Sequence, residues 1–246
     1  GLMSVLRRKH QLGFLKLTPA VFSLLGSLLN AEQARRGGPL IILGGEALDA
    51  RNCRDWHALA PGTRLVNEYG PTETVVGCCI HQTEPTDESN IPIGLPIWNA
   101  ELYILDGCLE PVLNSVTGEL YIGGAGVARG YMGRSGLTAE RFIASPYGKP
   151  GARLYRTGDL VRRRADGVIE FLGRTDTQVK VRGYRIELGE VESTLVSHAD
   201  VKQATVMCKP ALDENNRLLA YVVLKQDESA GGGRRDADAV DRQIGW

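Results

Sequence analysis

The chain contains no apolar run approaching the ~20 residues needed to cross a bilayer, so no stretch of it reads as a membrane span. It lacks charge of one sign: 29 Lys plus Arg balance 29 Asp plus Glu, and no long-range field draws it to nucleic acid or an anionic membrane. Its five cysteines, Cys53, Cys78, Cys79, Cys108 and Cys208, are odd in number and lack metal-ligand spacing. They read as reduced structural thiols rather than a disulfide framework or a zinc site, which suits a cytoplasmic setting. There is no internal repeat. The opening Gly1-Leu2-Met3-Ser4-Val5 has neither an initiator Met nor a signal peptide and reads as sequence from within a domain.

What is present is glycine, at 30 of 246 residues, which suits strands and turns better than a helical bundle. Leu2, Val5 and Leu6 have helical spacing, with Arg7-Arg8-Lys9 at the end where cations suit the helix dipole. The pattern then predicts a strand over Leu12–Thr18, a helix from Pro19 through Leu29, a strand over Pro39–Leu43, a helix capped by Asp49 and running to Leu59, and a strand over Thr63–Val66. Strand, helix, strand, helix, strand implies a parallel sheet with helices on its faces. In such sheets ligands sit beyond the C-terminal strand ends, so Lys16/Thr18, Gly44/Gly45 and Glu68/Tyr69 should share a pocket rim. After Ile80, short strands at Ala100–Leu105, Gly118–Ile122, Leu154–Thr157 and Val168–Leu172, with turns at Asp106-Gly107 and Asp166-Gly167, predict a small antiparallel β-barrel. Thr138–Phe142 reads as a brief helix capped by Thr138. From Asp176 the texture changes to a strand (Gln178–Val181), a turn at Gly183, a helix (Glu187–Val196) and strands over Val201–Met207 and Leu218–Leu224. The stretch with Gly231-Gly232-Gly233-Arg234-Arg235-Asp236 is linker-like. The expected fold is therefore α/β and multi-subdomain. Residues 1–98 would be part of a large α/β sheet subdomain, 99–175 a β-barrel, 176–226 the start of an α+β C-terminal subdomain, and 227–246 a linker.

The most informative stretch is Asn67-Glu68-Tyr69-Gly70-Pro71-Thr72-Glu73-Thr74, a polar turn between apolar runs at Thr63–Val66 and Val75–Ile80. Gly70-Pro71 sets the turn. Tyr69 offers a ring for a base, Thr72 a hydroxyl for a phosphate and Glu73 a carboxylate for Mg²⁺, although an ordinary strand-turn-strand would use the same residues. NEYGPTE resembles a core motif of adenylate-forming enzymes, in particular the amino-acid-activating adenylation domains of nonribosomal peptide synthetases. LGGEAL (Leu43–Leu48) precedes it, and GELYIGGAGVARGY (Gly118–Tyr131), YRTGDL (Tyr155–Leu160) and GRTDTQVKVRGYRIELGEVE (Gly173–Glu192) follow in the family's order. The resemblance covers roughly residues 12–225.

The resemblance implies a ligase that joins a carboxylate to the α-phosphate of ATP and expels pyrophosphate, a reaction carried by positioning and charge neutralisation. Glu73 would hold Mg²⁺, Thr72 would contact the α-phosphate, Tyr69 would stack on adenine, and Gly44 and Gly45 would let the backbone approach the base. Asp159 and Arg174 would hold the ribose, although alone Asp159 is an ordinary turn aspartate after Gly158. Asp176 matches a hinge about which the C-terminal subdomain swings from an adenylating to a thioester-forming arrangement. Its solvated carboxylate would gain little from either packing, and Val181-Arg182-Gly183-Tyr184-Arg185 would enter the site in the second state. The product would pass to the phosphopantetheine thiol of a peptidyl carrier protein. The family's side-chain pocket matches Lys16, Ile42, Gly44, Glu68, Val76 and Gly77. An ammonium and a carboxylate with small glycines between them suit a carboxamide, and this lining also resembles the one the family associates with asparagine. Glutamine is the nearest competitor, and a bare Lys16–Glu68 ion pair closing the pocket is the plain alternative.

The phosphate loop, the aspartate that would grip the α-ammonium and the C-terminal lysine are absent from this stretch, so the polypeptide by itself is expected to bind nucleotide weakly and not turn over. Ala237–Trp246 resembles the start of an S-adenosylmethionine-dependent methyltransferase inserted in some of these domains; an arbitrary cut explains it equally. LTAERFIASPYG (Leu137–Gly148) resembles the docking surface for MbtH-like accessory proteins, while Phe142, Ile143 and Tyr147 also suit barrel core. Two rivals remain: a non-catalytic docking module for carrier or accessory proteins, and an acyl-CoA ligase, whose apolar pocket the Lys16 and Glu68 pair contradicts.

Overall fold

The computed structural model describes residues 12–36, 38–87, 91–181, 183–210 and 216–225. The expected helix around Leu2–Leu6, the glycine-rich linker and the methyltransferase-like stretch lie outside the described residues.

The first layer is a sheet ordered β1 (Leu15–Leu17), β2 (Leu40–Gly44), β3 (Arg64–Tyr69), β4 (Cys79–Gln82) and β5 (Leu95–Pro96). The first three strands are parallel and the last two antiparallel. Helices form where the sequence supplies caps. Thr18 caps α1 (Pro19–Leu28), with Pro19 in the first turn, where its missing N–H costs nothing. The Asn30 and Gln33 side chains form a reciprocal capping box on α2 (Ala31–Arg35). Asp49 caps α3 (Ala50–Leu59), accepting from Asn52 N at 3.0 Å.

Strand alternation sorts this sheet into two faces. Leu15, Leu17, Ile41, Leu43 and Leu65 turn toward Phe22 and Leu25 of α1 and Cys53 and Trp56 of α3 to make the core. The Phe22 and Trp56 rings meet at 4.9 Å, and each fully buried large side chain here contributes about 1.5–3 kcal/mol. The residues between them, with Lys16 paired to Ile42 and Gly44 to Glu68, line the opposite face.

The second layer is an antiparallel half-barrel ordered β10 (Ile169–Arg174), β9 (Arg153–Arg163), β7 (Thr117–Gly124) and β6 (Ala100–Leu105), with β8 (Phe142–Ala144) also on β9. A bridge from Gly94 to Ile169 ties it to the first sheet. The remainder is a hairpin of β11 (Gln178–Val181) and β12 (Tyr184–Glu187), then α5 (Leu188–Val196), which packs on the hairpin of β13 (Val201–Pro210) and β14 (Asn216–Leu224).

Three local expectations are corrected. Asn67, Glu68 and Tyr69 belong to β3, so the loop proper starts at Gly70. The apolar run Val75–Ile80 is not one strand: a 3₁₀ turn over Thr72–Thr74 leads into Val75 and Val76, both left-handed at φ 63° and 68°, and β4 begins only at Cys79. Two β-branched residues in that region store about 1–3 kcal/mol each. The turn is held by Val76 N to Pro71 O at 3.1 Å and Ala128 N to Glu73 O at 2.9 Å. Finally, the brief helix is α4 (Ser135–Arg141), and Thr138 lies inside it rather than at its cap. Its hydroxyl instead accepts from Tyr131 N at 2.9 Å.

Candidate functional site

The C-terminal ends of β1, β2 and β3 share one rim, as the parallel reading requires. Thr18, Gly45 and Gly183 meet there: a Cβ at Gly45 would lie 3.9 Å, and one at Gly183 3.3 Å, from the Thr18 methyl.

The first cluster joins both layers. Asp159 is a strand residue rather than a turn residue: β9 runs through it, with Gly158 at φ 76° turning the carboxylate inward. The Tyr69 hydroxyl donates to one carboxylate oxygen, and Arg174, its register partner on β10, pairs with the other. Arg174 Nε and Nη2 also grip Asp176 at 2.7 and 2.8 Å, and Nη2 donates to Thr157 O at 3.1 Å. Burial raises the Asp159 carboxyl above its ordinary range, and the Arg174 charge opposes that rise. Burial and the neighbouring Asp159 push the Tyr69 phenol well up. Asp176 is not the loosely solvated residue expected: burial would raise it, but the Arg174 fork and the charge of Arg141 hold it below its usual value.

The second cluster surrounds Glu73, only 8% exposed. Tyr131 Oη donates to Oε1 at 2.6 Å, and Arg185 Nη1 reaches Oε1 at 2.8 Å and Oε2 at 3.0 Å. Burial alone would raise this carboxyl; the two donors hold it below its ordinary value. Tyr131 is fixed by an aromatic ladder, with Phe142 at 5.4 Å and Tyr155 a further 5.1 Å beyond. Thr72, beside Glu73, is exposed.

The third cluster is the Lys16–Glu68 ion pair, Nζ to Oε2 2.5 Å. The expectation was that Gly44 and Gly77 leave space between these groups, but Glu68 itself occupies it. A Cβ at Gly77 would stand 2.4 Å from Glu68 Oε1, and one at Gly44 3.3 Å from Oε2. Ile42 is half-buried and Val76 exposed on the same rim.

The β11–β12 hairpin reaches the first two clusters and the strand-end rim. Lys180 Nζ lies 6.0 Å from the Tyr69 ring centre, Gly183 N donates to Glu46 Oε1 at 2.7 Å, and Arg185 holds Glu73. Burial lowers the Lys180 ammonium, which Asp159 partly offsets. Three contributors escaped the residue-by-residue reading, Glu46, Tyr131 and Lys180, while Arg185 was expected only as part of the segment that would enter the site. All lie within the quoted motifs, but nothing in the sequence says that Arg185 pairs with Glu73 in particular.

Among the described residues no group of three or more His, Cys, Asp or Glu could hold a metal ion. Glu73 nevertheless suits Mg²⁺, which commonly takes one or two carboxylates and draws its other ligands from phosphates and water.

Tyr69 at the end of β3 and Glu73 just beyond it, Asp159 and Arg174 from the half-barrel, and Arg185 from the hairpin thus converge on one rim. The family model for AMP-binding enzymes matches residues 3–132, more than half of the chain, and the chain belongs to that family. The match takes in Tyr69, Glu73 and Tyr131, while Asp159, Arg174 and Arg185 lie beyond it. Within the family the similarity runs to nonribosomal peptide synthetases. The chain is 44% identical over 212 residues to a dimodular nonribosomal peptide synthase of Bacillus subtilis (strain 168), covering 85% of this chain and 9% of that protein. It is 44% identical over 224 residues to bacitracin synthase 3 of Bacillus licheniformis, covering 89% of this chain and 3% of that protein. The chain therefore spans a small part of the length of these relatives. Among solved structures it resembles holo-PA1221, an NRPS protein containing adenylation and PCP domains bound to a vinylsulfonamide inhibitor, with TM-score 0.79, 30% identity, and 85% of this chain and 36% of that one covered. It also resembles the artificially fused adenylation-PCP di-domain NpsA-ThdA from Klebsiella oxytoca, with TM-score 0.75, 27% identity, and 89% of this chain and 40% of that one covered.

Proposed function

We propose that the chain is part of an amino-acid adenylation unit, which uses ATP to make an aminoacyl-adenylate and hands the acyl group to the phosphopantetheine thiol of a carrier protein. Residues 1–98 and 99–175 are read as two parts of the core, and residues from 176 as the mobile subdomain, supported by the change of sheet after Pro96 and after Arg174. In this reading Asp159 and Arg174 hold the ribose, Tyr69 and the backbone at Gly44 and Gly45 hold the base, Thr72 contacts the α-phosphate, and Glu73 is the protein ligand of Mg²⁺. When bound, Mg²⁺ would supply positive charge against the phosphates. Asp176 is the hinge. The seated β11–β12 hairpin, with Lys180, Gly183 and Arg185 all touching the rim, fits the arrangement used for thioester formation better than the adenylating one.

For the substrate we propose asparagine. The observation that carries this is the Lys16–Glu68 pair across the strand ends: a carboxamide can offer its C=O to Lys16 and its NH₂ to Glu68, replacing each partner's present contact, whereas an aliphatic side chain would leave both unpaired. Ile42, Gly44, Val76 and Gly77 complete the lining. An MbtH-like partner on Leu137–Gly148 would meet Tyr147, which is exposed although one ring face lies on Tyr103 at 5.2 Å, and not Phe142, which is buried. The test is pyrophosphate exchange across the proteinogenic amino acids, using the longest native polypeptide that contains this segment and with an accessory protein supplied. Exchange dominated by asparagine is expected. Exchange with another amino acid would retain the class and discard the pocket assignment, and no exchange from a folded, complete protein would refute the activity.

A further inference from the structure

We propose that Glu119 is a positioning residue for Asp159: from the neighbouring strand it fixes the bulge in β9 that aims the Asp159 carboxylate into the site. The inference rests on the reading of Asp159 as the ribose-binding carboxylate and adds the residue that holds it in place. In the β7–β9 register Glu119 pairs with Leu160 and Tyr121 with Arg156, so one residue of β7, Leu120, faces three of β9, Thr157, Gly158 and Asp159. Surplus residues of this kind bend a strand and re-aim a side chain at the expense of ladder hydrogen bonds. The backbone groups released from the ladder are buried and must find other partners.

Each partner can be named. The Thr157 hydroxyl accepts from Asp159 N at 2.9 Å and donates to Leu120 O at 2.7 Å. Gly158 O accepts from Thr175 N at 2.8 Å. Gly158 N, on the left-handed residue at φ 76°, donates to Glu119 Oε1 at 3.1 Å. Without that carboxylate the buried N–H would lose its acceptor, and an unmade buried hydrogen bond is costly enough to shift the bulge. The shift would displace the next residue, Asp159, from Tyr69 and Arg174. Glu119 is itself held still: Arg156 Nε reaches its two oxygens at 2.9 and 3.1 Å, Arg156 Nη2 reaches Oε2 at 3.1 Å, and Tyr121 Oη donates to Oε2 at 3.3 Å. The plain alternative is that Glu119 serves only the Arg156 ion pair. Because the Arg156 side chain is 45% exposed, that pair contributes little on its own; the contact on Gly158 is the one that reaches the site.

The test measures equilibrium binding of ATP and of 2′,3′-dideoxy-ATP, which lacks the ribose hydroxyls, to the longest native polypeptide containing this segment. The unmodified protein should prefer ATP by at least about tenfold, the worth of one hydrogen bond to a charged group. Glu119→Ala should weaken ATP toward the dideoxy value while scarcely changing dideoxy-ATP, so the ratio falls toward one. Glu119→Asp keeps the charge but draws the acceptor back from Gly158 N, and it should lower the ratio too, which serves if the alanine variant does not fold. Glu119→Gln, which retains an acceptor at Oε1, and Arg156→Ala, which removes only the ion pair, should both preserve the ratio. An unchanged ratio in the folded Ala or Asp variant, an equal loss of both nucleotides, or a collapse in Arg156→Ala would overturn the inference while the preference of the unmodified protein leaves Asp159 its role. Equal binding of both nucleotides by the unmodified protein would remove the ribose reading and this inference with it.

Discussion

Gly77→Ala separates the pocket from the fold more cleanly than any other single change. The backbone at Gly77 is outside the left-handed region, so alanine brings no backbone strain. Its methyl would nevertheless stand 2.4 Å from Glu68 Oε1 and 2.5 Å from Cδ. The end of a flexible side chain is what must yield, and the carboxylate swings away from Lys16, which it now meets at 2.5 Å. Because the Lys16 side chain is 49% exposed, losing the pair costs folding only about 0–1 kcal/mol. The substrate loses more: one hydrogen bond to a charged group is worth about 1.5–3 kcal/mol, or roughly 10- to 160-fold in kcat/KM. Pyrophosphate exchange with asparagine should therefore fall by that factor while the urea midpoint scarcely moves. An unchanged kcat/KM for asparagine in the variant would refute the argument that Glu68 reads the carboxamide.

Two further outcomes follow from the buried groups. Asp159→Ala should abolish nucleotide binding and destabilise the protein by about 3 kcal/mol, the low end for breaking a buried pair, because Arg174 keeps its fork on Asp176; a loss below about 1 kcal/mol in urea unfolding would place the pair among surface bridges. In a native thiol titration the exposed Cys108 should react first, while Cys53, Cys78 and Cys79 wait for denaturation, since all three are buried and burial pushes the Cys53 thiol up to about 12. Fast native modification of Cys53 would contradict this.

Much of the frame was legible because it is local. Pro19 and Asp49 mark helix starts by their own chemistry, and the apolar runs Pro39–Leu43 and Thr63–Val66 mark the bodies of two strands, although the extension of the second through Tyr69 was not legible. The site residues were legible only through motifs, since their partners lie far apart in sequence: Tyr69 meets Asp159, and Glu73 meets Arg185. What the sequence concealed was conformation against type. Val75 and Val76 have strand-forming side chains yet sit in left-handed backbone, because the turn's hydrogen bonds to Pro71 and Ala128 outweigh their preference. Thr138 has cap chemistry but serves Tyr131 instead. The glycines at 44 and 77 looked like empty space and proved to be the bed of the Glu68 side chain.

The two-faced sheet has a consequence for how such a protein changes over generations. Leu15, Ile41 and Leu65 hold the fold together, while Lys16, Ile42 and Glu68, on the same strands, carry little of that duty. On the proposed reading, Lys16 and Ile42, which line the substrate pocket, are immediate neighbours of Leu15, Leu17, Ile41 and Leu43, which hold the core, yet the two sets are answerable to different selection. Substitutions at every second position can redirect chemistry at small cost in folding, and those at the positions between cannot. That separation makes the strand ends a natural place for a new specificity to arise by a few exchanges, without rebuilding the scaffold beneath it.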